Sequence, residues 1–274
     1  MNHLNNPILQ TLEQLIKNYF GIYIRPDKAV TVEERIRPLL AKHNCINAHE
    51  LFLKVDSDTT HGIINDIANA VTTNFTYFNR EEPHFDFLLK NVYPPLVREL
   101  RQKNSLDLRI WCAACSSGEE AYSLAMTIRD YLDMDYSNWR SGVLATDLST
   151  TALEEAIAGI YPSDRMIYLK KDAIKKYFSP INDYTYKIKA SLAKEVTFRK
   201  FNLKTKTYPF KQRFHIIFCR NVMIYFDLEM INHVVENIYK NLETNGYLFI
   251  SNTETLGRKN SLFEYIAPGI YRKK

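Results

Sequence analysis

The sequence has no long apolar run and little cysteine. No hydrophobic stretch reaches the ~18–20 residues of a membrane span, and the N-terminal segment MNHLNNPILQ lacks the basic start and apolar centre of a secretion signal. We therefore expect a cytoplasmic protein without membrane insertion. Four cysteines in 274 residues are too few for a disulfide framework, so reduced thiols are expected.

Metal-binding and redox motifs are also scarce. Cys112 and Cys115 form one C-x-x-C, which is compatible with redox chemistry or with half of a zinc site. A zinc site needs about four ligands, and no second C-x-x-C or paired histidine follows. The pair is better explained as two buried small residues, and we predict no metal.

Glycine is rare where a dinucleotide-binding protein needs it. The loop Ala113–Gly118 reads AACSSG and has one glycine instead of the three of G-x-G-x-x-G, which argues against a pyrophosphate ligand. Its small residues still allow close approach of a bulky ligand without phosphates. Glu119 and Glu120 follow at a predicted helix start and could accept hydrogen bonds from an ammonium group. Alternatively, Glu120 forms a capping box with Ser117.

The pattern of apolar residues predicts two kinds of structure. From 8 to about 70 they recur at three and four positions, which is typical of helices. After about 105, short apolar runs alternate with helical patterns, which predicts an α/β fold with a mostly parallel sheet. The expected division is a helical domain (1–75), a linker helix region (76–104) broken by Pro94 and Pro95, and a third domain (105–274). Within it, 165–202 is expected to form a small β-insertion ending in EVTFRKFN.

An acidic residue closes the second predicted strand. GVLATD ends at Asp147, ~20–30 residues beyond the loop, where a carboxylate can bind both hydroxyls of a ribose. A helix cap before Ser149 is the simpler alternative. A ribose, a cation like that of an amino acid and no phosphate together describe S-adenosylmethionine.

Five strings of the sequence resemble successive motifs of the CheR-type chemotaxis receptor methyltransferases. They are TTNFTYFNRE (72–81), AACSSGEEAYSLAM (113–126), ATDLSTTALEEAIAGIY (145–161), FNL (201–203) and FCRNVMIYFD (218–227). The resemblance implies an N-terminal helical domain and a Rossmann-like methyltransferase domain with a small β-subdomain. It also implies methyl transfer from S-adenosylmethionine to chemoreceptor glutamates, which forms glutamyl methyl esters and S-adenosylhomocysteine.

The resemblance also implies a set of site residues. Arg80 and Tyr225 would lie at the transfer site, with Arg80 also contacting the cofactor. The other expected cofactor-binding residues are Asn74, Thr76, Glu120 (ammonium), Asp147 (ribose), Asn202 with Leu203, and Asn221 with Val222. The simpler alternatives are that Asn74 and Thr76 cap a helix and that Tyr225 is a core aromatic.

The charge distribution fits this expectation. Residues 165–213 hold 14 Lys/Arg and 3 Asp/Glu, which favours an acidic partner such as a receptor helix. The acceptor carboxylate, with a reference pKa near ~4.3, is already ionised and needs no general base. The stretch 179–189 has no glycine, which resembles members that need no C-terminal pentapeptide tether on the receptor.

Two other functions fit part of this pattern. Basic charge and aromatics such as Tyr184 suggest a nucleic-acid methyltransferase, but Asn221–Ile224 reads NVMI and not N-P-P-Y. A non-catalytic sensor of S-adenosylmethionine is the other alternative, against which the intact transfer-site motif argues. We expect no nucleic-acid partner.

Overall fold

A computed structural model describes residues 7–256 and 262–274. The helices are α1 Pro7–Phe20, α2 Ala29–Lys42, α3 Ala48–Ser57, α4 Gly62–Val71, α5 Glu82–Phe87, α6 Tyr93–Gln102, α7 Glu119–Leu132, α8 Thr150–Ala158, α9 Lys171–Tyr177, α10 Ala190–Ala193 and α11 Leu228–Asn241. The strands are β1 Asp107–Ala113, β2 Arg140–Asp147, β3 Ile160–Pro162, β4 Phe178–Asn182, β5 Thr185–Ile188, β6 Val196–Lys200, β7 Phe214–Cys219, β8 Leu242–Phe249, β9 Phe263–Ala267 and β10 Ile270–Lys273. In these ranges no helix is long and apolar enough to cross a membrane.

The first four helices form the predicted helical bundle. Their apolar positions at three- and four-residue spacing meet in a core of their own, which includes Leu12, Ile16, Ile36, Leu51 and Ile67. Each of these side chains is almost fully shielded from solvent. Burial of this stripe stabilises the helices, because isolated helices of this length are marginal in water.

Helix α5 continues into α6 despite the two prolines. The junction Leu88–Val92 is a π-helical turn, and Pro94 and Pro95 lie in the first turn of α6. Prolines are tolerated at this place because the first amides of a helix have no intrahelical acceptor. The helical run is therefore not ended by the prolines, and Val92 and Tyr93 are fully buried.

The central sheet has the order β6-β2-β1-β7-β8-β10-β9. Strands β6, β2, β1, β7 and β8 are parallel, whereas β10 and β9 add antiparallel strands at one edge. The α/β fold with a preceding helical region is thus confirmed. Strand β1 lies between β2 and β7, where the direction of the connections reverses, and ligands of such sheets bind beyond the carboxyl ends at this point.

A second sheet of three antiparallel strands has the order β3-β5-β4. This sheet begins at Ile160, before the start predicted for the β-insertion. The strand-like EVTFRKFN does not belong to it, because Val196–Lys200 pairs in parallel with β2 of the central sheet. Val196 and Phe198 alternate with exposed residues, which indicates a strand. The same alternation would occur in either sheet, so the sequence pattern could not predict which sheet this strand joins. The division at residues 75 and 104 stays a prediction.

Candidate active site

A cavity of about 340 Å³ opens beyond the carboxyl ends of β1, β2 and β7. Its volume lies within the ~300–1,000 Å³ of small-molecule sites. All ten predicted site residues line it: Asn74, Thr76, Arg80, Glu120, Asp147, Asn202, Leu203, Asn221, Val222 and Tyr225. The fold therefore brings five separate segments of the chain to one cavity.

The loop after β1 follows an unusual backbone path. Ala114 and Ser116 have positive φ angles of 59° and 52°, and Gly118 has φ 95°. A Cβ atom on Gly118 would lie 2.8 Å from the Cβ of Ala156, so this position requires glycine for both backbone and space. The strained residues turn the amide of Ser116 toward Asp147 at the cavity, which is where such strain usually has a functional use.

Asp147 is a buried carboxylate held by two backbone amides. Ser116 N donates to Oδ2 at 2.7 Å, and Ser149 N donates to Oδ1 at 2.8 Å. Burial raises the pKa of Asp147, and these two hydrogen bonds oppose the shift. The helix-cap alternative is wrong, because Ser149 is the N-cap of α8 and accepts from Ala152 N.

Glu120 does not form the capping box that was the alternative to ligand binding. The hydroxyl of Ser117 donates to Glu119 Oε2 at 2.8 Å instead, and α7 begins without a side-chain cap. Glu120 lines the cavity, where its Oε2 lies 3.1 Å from Nη1 of Arg220. Burial raises the pKa of Glu120, and the Arg220 charge opposes this shift.

The two cysteines of the C-x-x-C are buried, as predicted. Burial raises the pKa of both the Cys112 and the Cys115 thiol well above the ordinary value, so neither is a reactive thiolate. Cys112 Sγ donates to Glu120 Oε1 at 3.3 Å. Within residues 7–256 and 262–274, no three His, Cys, Asp or Glu residues are grouped so that they could hold a metal ion.

Arg220 is a site residue that the sequence analysis missed. Its side chain is fully buried, lines the cavity and pairs with Glu120 and, at 3.6 Å, with Glu81. Its Nε atom has no hydrogen-bond acceptor in the described part of the chain. A carboxylate and a guanidinium side by side in one cavity complement a zwitterion. The available signal was its place in the RNVMIYF string, immediately before Asn221.

Asn74, Thr76 and Arg80 lie in an irregular segment between α4 and α5. No helix begins there, so the alternative that Asn74 and Thr76 cap a helix is wrong. Asn74 Nδ2 donates to Ser149 Oγ at 3.3 Å, which ties the segment to the start of α8. Arg80 Nη1 donates to Phe75 O at 3.0 Å, and in the described ranges Arg80 forms no ion pair with a carboxylate.

The loop after β7 is held by a second residue that the sequence analysis missed, Glu254. Its carboxylate accepts from three backbone amides: Ser251 N (2.8 Å), Asn221 N (3.1 Å) and Ile224 N (3.2 Å). Asn221 has φ 57°, so these bonds fix a backbone turn that is otherwise disfavoured. Tyr225 follows in this loop, half-buried against the cavity, and the core-aromatic alternative is wrong.

The helical bundle closes one side of the cavity. Phe20 and Ile22 line it, and Tyr23 N donates to Tyr225 O at 2.8 Å. Asn202 also contacts this bundle, because its Nδ2 donates to Tyr19 O at 2.8 Å. The apolar wall and the loop of Tyr225 therefore depend on contacts between segments that are far apart in sequence.

Comparison with known proteins identifies the family. Residues 74–270 match the family described as CheR methyltransferase, SAM binding domain. The chain is similar to a chemotaxis protein methyltransferase of Borreliella burgdorferi (38% identity, 97% of this chain and 93% of the relative). Similar relatives are Chemotaxis protein methyltransferase Cher2 of Pseudomonas putida (31%, 91% and 91%) and a chemotaxis protein methyltransferase of Escherichia coli (30%, 98% and 91%).

The relatives match nearly the whole chain, and the family match includes all ten of the predicted site residues. The chain belongs to the CheR methyltransferases and is an S-adenosylmethionine-dependent methyltransferase of chemotaxis.

Proposed function

We propose that this protein acts in the cytoplasm and transfers the methyl group of S-adenosylmethionine to glutamate side chains on the cytoplasmic helices of chemoreceptors. The products are glutamyl methyl esters and S-adenosylhomocysteine. One observation carries this proposal: the ten residues expected from the family motifs line a single cavity, and Arg80 lies there without a carboxylate partner among the described residues.

The buried charges of the cavity fit the cofactor. Glu120 would hold its ammonium group, and the positive charge of Arg220 beside it would attract its carboxylate. Asp147, already positioned by two amides, would accept from the ribose hydroxyls. The remaining walls, to which Asn74, Thr76, Asn202, Leu203, Asn221 and Val222 contribute, would enclose the adenine and the methionine chain.

The transfer needs alignment more than acid–base chemistry. When bound, the cofactor supplies a methyl group on a positively charged sulfur. Arg80 would hold the incoming glutamate carboxylate, which is ionised at neutral pH, and Tyr225 would limit its approach to one direction. Well-oriented approach can lower a barrier by ~7–11 kcal/mol, so neither a general base nor a metal is required.

Several features support a receptor helix as partner. The basic stretch 165–213 would attract acidic helices, and this attraction should weaken with salt.

Strands β4 and β5 are joined by only Asp183 and Tyr184, so the hairpin presents no long loop for a tethering pentapeptide. We propose that methylation is independent of such a tether, and that nucleic acid is not a substrate because Asn221–Ile224 lacks the N-P-P-Y pattern.

The test uses the purified full-length protein, methyl-labelled S-adenosylmethionine and membranes that carry chemoreceptors from the same organism. We expect label on receptor bands that mild alkali releases as methanol, which identifies a methyl ester. Receptors without their last five residues should be labelled at the same rate. Alkali-stable label, or label on added nucleic acid, would refute glutamate methylation; cofactor binding without any transfer would indicate a sensor.

A further inference from the structure

A strip of four apolar side chains, three exposed and one (Tyr77) half-buried, extends from Phe75 at the cavity to Tyr168 and its chain neighbour Ile167. We call it the aromatic strip; its members are Phe75, Tyr77, Ile167 and Tyr168. Phe75 is 73% exposed, Ile167 69% and Tyr168 53%. The rings of Phe75 and Tyr77 lie 6.1 Å apart, and those of Tyr77 and Tyr168 lie 5.0 Å apart. Contiguous exposed apolar side chains, unlike scattered ones, mark a contact surface.

The inner end of the aromatic strip belongs to the cavity. Phe75 and Arg80 both line it. The Arg80 guanidinium carbon lies 5.9 Å from the centroid of the Tyr77 ring, so the charge rests against the strip. Arg165 and Arg220 pair with buried glutamates, whereas in the described chain Arg80 has no such partner. A carboxylate that enters the cavity from the strip would meet this charge first.

The outer end of the aromatic strip is also positive. Lys170 and Lys171 follow Tyr168 after the buried Leu169; both lysines are exposed, and within the described ranges neither forms an ion pair. Asp172 is the acidic residue beside them, at the start of α9. Since 165–213 carries 14 basic and 3 acidic residues, the local field still favours an acidic partner.

We propose that the aromatic strip is the docking surface for the receptor helix that carries the methyl-accepting glutamate. This inference rests on the proposed function and deepens it. A glutamate on a helix reaches the cavity only when the helix lies against its rim. Residues three or four positions away on the same helix face are ~5–6 Å apart, close to the ring spacings of 5.0 and 6.1 Å.

The partner is therefore an amphipathic helix with defined chemistry. Small or apolar residues, three and four positions from the acceptor glutamate, rest on the rings of the strip. Acidic residues further along the helix face Lys170 and Lys171. Apolar contact supplies affinity and register, while the charges supply encounter rate and salt dependence.

The decisive variants are Tyr168→Ser and Ile167→Ser, because neither side chain lines the cavity. Each should raise KM for the receptor about fivefold, as expected when roughly half of a large side chain's burial is lost. The affinity for S-adenosylmethionine, the Tm and kcat at saturating receptor should stay unchanged. The matched control is Tyr265→Ser, since Tyr265 is a 61% exposed tyrosine on edge strand β9. It should change none of these quantities.

Direct binding of a receptor cytoplasmic fragment, measured by calorimetry, separates docking from catalysis. Weaker binding of the fragment by the two variants would support the strip as the docking surface, whether or not a methyl ester forms. Absence of the methyl ester would refute only the proposed reaction. Unchanged KM and unchanged fragment binding in both variants would overturn the docking surface. Sedimentation of the wild type, but of neither variant, with receptor-free anionic vesicles would also overturn the docking surface, because the strip would then bind lipid. The double variant Lys170→Gln/Lys171→Gln should reduce the salt dependence of KM.

Discussion

Replacement of Glu254 by glutamine should slow methyl transfer without unfolding the protein. The carboxylate Oε2 accepts from Ser251 N and Asn221 N, and Oε1 accepts from Ile224 N. Glutamine has one acceptor oxygen, so even in its better orientation its amide nitrogen would face the Ile224 N–H. Glu254 holds the turn that presents Asn221 and Tyr225 by two amides, Asn221 N and Ile224 N, and the turn would lose the second of these anchors.

The magnitude follows from the hydrogen bond that is lost. A bond to a charged acceptor contributes about 1.5–3 kcal/mol. If the whole of this is expressed in the transition state, kcat/KM falls about 10- to 150-fold, at tenfold for each ~1.4 kcal/mol. Glu254→Ala removes both acceptor oxygens and with them all three hydrogen bonds, so its kcat/KM should fall further.

Global stability should respond differently. Burial raises the pKa of Glu254, and its three hydrogen bonds oppose this shift only in part. A carboxyl with a raised folded-state pKa contributes stability below its unfolded pKa and loses it as pH rises through the folded pKa. At neutral pH the wild type therefore carries a burial penalty that glutamine lacks. The Tm of Glu254→Gln should stay near that of the wild type at neutral pH and fall below it in acid.

The assay compares steady-state kinetics on receptor membranes with thermal unfolding of the same preparations. The matched control is Glu264→Gln, because Glu264 is a half-exposed carboxylate paired with Arg272 on the sheet edge. It should keep wild-type kinetics. A kcat/KM for Glu254→Gln within twofold of the wild type, or a loss of activity that only parallels a loss of Tm, would refute this reasoning.

Three further predictions concern the cavity and the loop that follows β1. Arg80→Ala should lower kcat/KM about 100-fold, as when a reacting group is misplaced. The urea midpoint should change little, since the side chain makes one backbone hydrogen bond. Equal losses of activity and of folding stability would contradict its role. Asp147→Asn should weaken calorimetric S-adenosylmethionine binding about 10- to 100-fold. Burial raises the pKa of Asp147, so acidification should weaken S-adenosylmethionine binding by the wild type at a higher pH than for an ordinary aspartate. If Asp147→Asn shows the same loss of affinity in acid, Asp147 is not the group that titrates. Gly118→Ala should lower the free energy of unfolding by about 1–3 kcal/mol, because its φ is positive and Ala156 leaves no space; an unchanged urea midpoint would disprove this.

The structure decides between alternatives that the sequence leaves open. The S-x-x-E spacing of Ser117 and Glu120 is equally compatible with a capping box and with a ligand contact. The hydroxyl of Ser117 donates to Glu119 and not to Glu120, because the guanidinium of Arg165 donates to both Ser117 and Glu119. Arg165 lies 46 residues beyond Glu119 in the chain. The spacing of residues along one helix cannot predict a contact with a residue from another part of the chain.

The sequence by itself determined a helical region followed by alternating strands and helices, the class of ligand and the family. These depend on periodicity, on a loop with one glycine and on motif strings, all of which are local along the chain. The tertiary structure alone decided that Arg220 pairs with Glu120, that Glu254 anchors the loop of Tyr225, and that Val196–Lys200 joins the central sheet. These contacts join segments distant in sequence, and the partner of a buried charge or an edge strand is set by packing, which no local pattern records.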